Sequence, residues 1–146
     1  MAFIKAVLSF DELMALEQLA AATTLLPICV RLMAFMDFRR WNAIIFVDLT
    51  ELDVSTYSRI KNNRLKKSDL RTIVAIAVGL LLPIHIVESL LDSAGLTFGR
   101  TKQGLAYRYV LLEMRGCTIY EANLFLSRLG VPLLGSLGIS DKHESA

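Results

Sequence analysis

Apolar residues recur along the chain at spacings of three and four, broken by short polar stretches, and the pattern predicts helices almost from end to end. Ser9-Phe-Asp-Glu12 has the form of a capping box, and Leu13, Leu16, Leu19 and Ala20 fall on one face of the helix that should follow. Pro27 is expected to end or kink that helix. A second helix is expected over Ile28 to Asp37, then a break at Phe38 to Trp41, with Trp41 a core residue at the junction. Asn42 begins a short helix to about Leu49. Within it AIIFV, Ala43 to Val47, has the β-branched composition of a strand, but a lone strand would have nothing to pair with.

Asp53 stands as the N-cap of a helix over Val54 to Asn62, and Asn62-Asn63 tolerates the left-handed backbone that would end it. Ser68 is expected to cap a helix from Asp69 to Leu81. Pro83 starts the next helix, which Gly95 closes after Ala94. Another runs from about Lys102 to Arg115 and stops at Gly116. Thr118-Ile-Tyr-Glu121 repeats the capping box, and Gly130 with Pro132 ends its helix. The polar tail after Gly138, ISDKHESA, reads as disordered. The fold class expected is all-α.

Composition raises one question against this picture. The chain has 146 residues, of which 54% are apolar, and a mean hydropathy of +0.50. Its longest uncharged run, Thr72 to Val87, holds sixteen residues and contains Gly79, Pro83 and His85. A membrane span needs about 18 or more apolar residues, so buried helices are the better reading and no membrane is expected. The N-terminus lacks the long apolar segment and cleavage site of a signal peptide. Cys29 and Cys117 lie far apart and read as buried thiols of a reducing compartment, which points to the cytoplasm.

Catalytic chemistry finds little support. The two histidines, His85 and His143, have no partner at metal-ligand spacing, and His85 reads as a satisfied core histidine. No phosphate-binding glycine loop and no nucleophile elbow occurs. The reading is of a non-enzyme with no metal and no cofactor.

Charge is where the sequence is uneven. The net charge is +2, yet six basic residues against Asp69 give +5 between positions 59 and 71 and leave −3 elsewhere. This stripe, STYSRIKNNRLKKSDLRT, follows two short helices separated by a tight turn, which is the layout of a helix-turn-helix. Tyr57 and Ile60 are expected to face the core with Val54 near them, so that Ser55, Thr56, Arg59 and Asn62 project outward to read base edges. Ser58, Lys61, Asn63, Arg64, Lys66, Lys67 and Arg71 would meet phosphates.

The run STYSRIKNNRLKKSDLRTIVAIAVGLLL also resembles the Xre/Cro/repressor class of helix-turn-helix proteins. Asp53 stands at that class's cap serine, Tyr57 and Ile60 at its two core positions, and Asn62-Asn63 at its Asn-Gly. AYRYVLLEM and TIYEANLFLSRLGVPLLGS resemble a Firmicutes-type subgroup in which further helices follow the five-helix core. Two positions depart from the pattern: Val47 stands at a small alanine, and Glu51 at the turn glycine. The resemblance covers about residues 41–136. It implies a lambda-repressor-like domain over 41–95, packed C-terminal helices over 96–138, and a tail at 139–146. Residues 1–40 would be a helical extension serving core packing or dimerisation. The function implied is sequence-specific binding of double-stranded DNA, as a small bacterial or phage-type transcriptional regulator and as a homodimer. The alternative is a degenerate helix-turn-helix that binds a protein partner through its N-terminal helices and does not bind DNA.

Overall fold

The computed structural model describes residues 8–65 and 69–135, and these form eight α-helices with no strand among them. They are α1 (Phe10–Ala22), α2 (Ile28–Phe38), α3 (Ala43–Thr50), α4 (Val54–Lys61), α5 (Leu70–Leu80), α6 (Ile84–Ser93), α7 (Lys102–Glu113) and α8 (Ile119–Leu129). The all-α class is as expected, and AIIFV is helical within α3. The polar tail at 139–146 and Ser68 lie outside the described residues.

The caps explain most helix starts. Ser9 and Thr118 each close a reciprocal capping box, with Glu12 and Glu121 returning the bond. That bond to the Ser9 N–H holds the Glu12 carboxyl below its ordinary range. Asn42, Asp69 and Thr101 cap α3, α5 and α7 through their side chains. The stops are more varied. Arg40, Glu51, Asn63 and Leu81 take left-handed backbone without being glycine, at φ between 54° and 62°. α1 ends at Ala22, ahead of Pro27, which instead occupies the N-cap of α2, where a missing N–H costs nothing.

α5 is the centre of the molecule. Ile73 to Val78 and Leu80 are all buried, so the helix is apolar all round, as a helix wrapped by others must be. α3, α6, α7 and α8 pack against it, and α2 lies across α4 and α6. The sixteen-residue apolar run is therefore two short core helices broken at Leu81–Pro83, and no described helix is long and apolar enough to cross a membrane. Cys29 and Cys117 are both free and buried, and burial pushes the Cys117 thiol up to about 11. Trp41 is 9% exposed and meets the Phe46 ring edge-on at 6.3 Å, as a junction residue should.

The described part of the N-terminal region, residues 8–40, packs into the core. Leu16, Leu32, Phe35 and Met36 are fully buried in the same core as α5. With them lies Arg31, at 0% exposure. Its Nε donates to Thr23 Oγ1 at 3.1 Å and its NH2 to the Ala20 carbonyl at 2.9 Å. Its NH1 reaches the Ser89 carbonyl, Ser89 Oγ and Ser93 Oγ at 3.0, 3.1 and 2.8 Å. One guanidinium thus joins α1, α2 and α6, with neutral oxygens and no carboxylate. Burial lowers its pKa, but an arginine starts so high that it stays charged. His85, expected in the core, is instead exposed and pairs with Glu17 of α1. Ile86 and Val87 turn inward beside it, so its position on α6 points to solvent.

Replacing Arg31 by methionine preserves bulk but removes every donor. The variant is expected to lose about 2–4 kcal/mol, because several buried oxygens lose their partner at once. Urea unfolding should show a lowered midpoint at unchanged slope.

Candidate nucleic-acid interface

α3 and α4 are joined by Glu51, Leu52 and Asp53. The reversal is made at Glu51, φ 57° and ψ 28°, whose N–H returns to the Val47 carbonyl. A left-handed residue is what this turn needs, and a glutamate there holds it at a cost of about 1–2 kcal/mol over glycine. Two contacts sustain it. The Thr50 hydroxyl, fully buried, donates to the Phe46 carbonyl at 2.7 Å and accepts from Leu52 N at 3.1 Å. From the other side comes Gly135, φ 85°, where an added Cβ would stand 2.9 Å from both Glu51 Cβ and the Glu51 carbonyl.

That glycine belongs to a segment with its own anchors. Asn123 holds Leu134 through both its amide N–H and its carbonyl, at 3.0 and 2.8 Å. The Tyr107 hydroxyl, its pKa raised by burial, donates to the Pro132 carbonyl at 2.7 Å. Arg71 donates from Nε and NH2 to the Leu133 carbonyl at 2.9 and 2.6 Å. Arg71, expected to meet phosphate, is therefore a structural clamp that ties α5 to the C-terminal segment.

α4 is held by Ile60, 1% exposed, and Thr56, 8% exposed, which are one turn apart. Tyr57 is half-buried and its ring lies 5.1 Å from Phe46. The burial of Thr56 corrects the expectation that it projects with Ser55. Val54 is corrected in the opposite sense: it is 58% exposed rather than near the core. At about 100° per residue, Thr56 and Ile60 differ by about 40° around the helix, whereas Val54 lies about 160° from Thr56 and about 120° from Ile60. The helical angle alone carried this signal.

What remains outward is a polar surface. Ser55, Ser58, Arg59, Lys61, Asn62, Asn63 and Arg64 are all exposed. Asn62 turns its amide back on its own helix, 2.9 Å from the Ser58 carbonyl, and Asn63 takes the left-handed backbone expected of it. Arg59 NH2 lies 3.4 Å from Thr56 Oγ1. Arg59, Lys61 and Arg64 form no salt bridge among the described residues. Lys66 and Lys67 lie outside the described residues. Two exposed apolar residues that the charge pattern passed over, Ile44 and Val54, sit at the N-termini of α3 and α4.

No group of residues fit to hold a metal occurs among the described ones. No protein-family model matches the chain, and no curated protein or solved structure matches it at a significant level.

A side chain at Gly135 tests the coupling between the C-terminal segment and the turn. Gly135→Val combines a forbidden φ with a contact on backbone that cannot yield, and is expected to cost about 2 kcal/mol or more. Amide exchange should accelerate first at Leu52, whose N–H depends on the turn.

Proposed function

We propose that the chain binds double-stranded DNA through α4, as a small helix-turn-helix regulator of the kind its sequence resembles. The observation that carries this reading is the exposed polar face of α4. Its cations Arg59 and Lys61, with Arg64 just beyond its end, are not neutralised by carboxylates among the described residues, in a chain whose net charge is only +2. Ser55, Arg59 and Asn62 would reach base edges in the major groove, where arginine reads guanine and asparagine reads adenine. Lys61, Arg64, Lys66 and Lys67, with Ser58 and Asn63, would lie along the phosphates. Thr56 supports α4 from inside, and Arg71 holds the C-terminal segment, so neither belongs to this surface.

DNA regulators of this design read two half-sites as a symmetric pair. A homodimer is supported by Leu105, Tyr109 and Leu112, exposed at one-turn spacing along α7, with Tyr109 stacked on Phe125 of α8. A bacterial or phage origin and a cytoplasmic setting accompany the same reading.

A second reading is favoured by a different observation. Ile44, Leu49 and Val54 are 74%, 44% and 58% exposed on α3 and α4. Apolar residues there suit a protein partner better than a phosphate backbone.

Salt dependence separates the two. If Arg59, Lys61 and Arg64 each neutralise one phosphate, affinity for random-sequence duplex should fall about 40-fold between 50 and 200 mM salt. Participation of Lys66 and Lys67 raises this to about 500-fold. Fluorescence anisotropy should also show the Lys61→Glu/Arg64→Glu pair losing binding to all sequences alike. Arg59→Ala is expected to cost about 1–3 kcal/mol on a selected site only. Salt-insensitive binding, or none at 50 mM, would sink the DNA reading. Loss of a partner on Val54→Asp with the charge reversals silent would favour the protein-docking one.

A further inference from the structure

A cleft of about 450 Å³ opens between α6, the connection at 94–101 and α7, far in sequence from α4. That is within the range of small-molecule sites. Its floor is apolar, made by Leu91 and Phe98, which are 1% and 8% exposed. Its rim carries Glu88 and Asp92, one turn apart on α6, and Arg108 of α7. The Glu88 carboxylate lies 3.6 Å from the Arg108 guanidinium. Asp92 forms no ion pair among the described residues. The cleft therefore holds one uncompensated negative charge above an apolar floor.

The walls are fixed in place. A Cβ added at Gly104 would stand 1.7 Å from the Phe98 carbonyl, so the connection lies directly on the start of α7. Thr101 caps that helix by accepting from Gly104 N at 3.1 Å. Gly95 and Gly99, at φ 72° and 70°, make the bends that bring Phe98 inward. A preformed cleft lowers the cost of binding.

The chemistry narrows the occupant. An anion would meet two carboxylates against one guanidinium. A bare metal ion would find too few ligands, since no metal-holding group occurs among the described residues. What fits is a single positive charge joined to an apolar body. We propose that this cleft binds a small organic monocation, an amine whose ammonium meets Asp92 and whose apolar part lies on Leu91 and Phe98.

Calorimetric titration with three probes of one shape tests this: benzylamine, benzyl alcohol and benzoate. Benzylamine is expected to bind in the millimolar range suited to a fragment of that size. The alcohol should bind about tenfold more weakly, and benzoate not at all. Asp92→Asn, an exposed change that should leave the urea midpoint alone, is expected to weaken benzylamine about tenfold. Arg108→Gln frees the Glu88 carboxylate and is expected to tighten it. No benzylamine binding, equal affinity for benzylamine and benzoate, or no effect of Asp92→Asn would overturn the proposal. A loss of affinity in Arg108→Gln would overturn it as well.

Discussion

Arg31 places a full positive charge at the meeting of three helices, and the architecture around it is arranged to accept that charge. Desolvating a guanidinium is expensive unless its donors are met. The partners are the Thr23, Ser89 and Ser93 hydroxyls and the carbonyls of Ala20 and Ser89. The Ala20 carbonyl lies in the last turn of α1, where aligned peptide dipoles present their negative pole, while the Ser89 carbonyl lies one turn before the end of α6. Neutral hydroxyl and carbonyl oxygens thus replace the carboxylate that a buried arginine usually finds. Geometry follows from this: α1 and α6 cannot part without stranding the cation, and α2 is held between them.

The same device recurs at the end of α5. Arg115 NH2 donates to the Leu81 carbonyl at 2.7 Å, and Arg39 NH2 approaches the Leu80 carbonyl at 3.4 Å. Arg39 also pairs with Glu12 at 3.5 Å, which links the start of α1 to the end of the central helix. Burial lowers the Arg115 pKa, and the neighbouring charge of Arg39 adds to this. α5 has no basic residue in its own last turn, so its C-terminal carbonyls are served from other parts of the chain. Arg71, beside its N-terminus, performs the related task of clamping the C-terminal segment. Four arginines are therefore part of the frame, and the cations on the exposed face of α4 are a different population.

Of these arginines, Arg71 bears on the α3–α4 unit, because the segment it clamps brings Gly135 against Glu51. The unit's turn is strained at Glu51, and the strain is held by the Thr50 hydroxyl within the unit and by Gly135 from outside. α4 is short, and an isolated helix of that length would not persist in water. It stands because Thr56 and Ile60 are buried and Tyr57 packs on Phe46. The polar face of α4 is therefore displayed on a packed support.

Much of the local structure was legible because local groups decide it. Capping boxes at Ser9 and Thr118 use residues three positions apart, and helical periodicity placed Leu16 and Ala20 inward before any partner was known. The break at Trp41 and the left-handed Asn63 follow from the same short-range chemistry. Tertiary structure decided where a charge or a hydroxyl ended up. Arg31 is polar by type and buried by circumstance, because its acceptors lie up to 62 positions away. Arg71 looked like part of the basic stripe, and only the return of Leu133 to its side made it a clamp. His85 faces water because Ile86 and Val87 claimed the inner side of α6. Spacing along a chain determines which residues share a helix face. Which face is covered depends on the other helices, and those contacts join residues that the sequence keeps far apart.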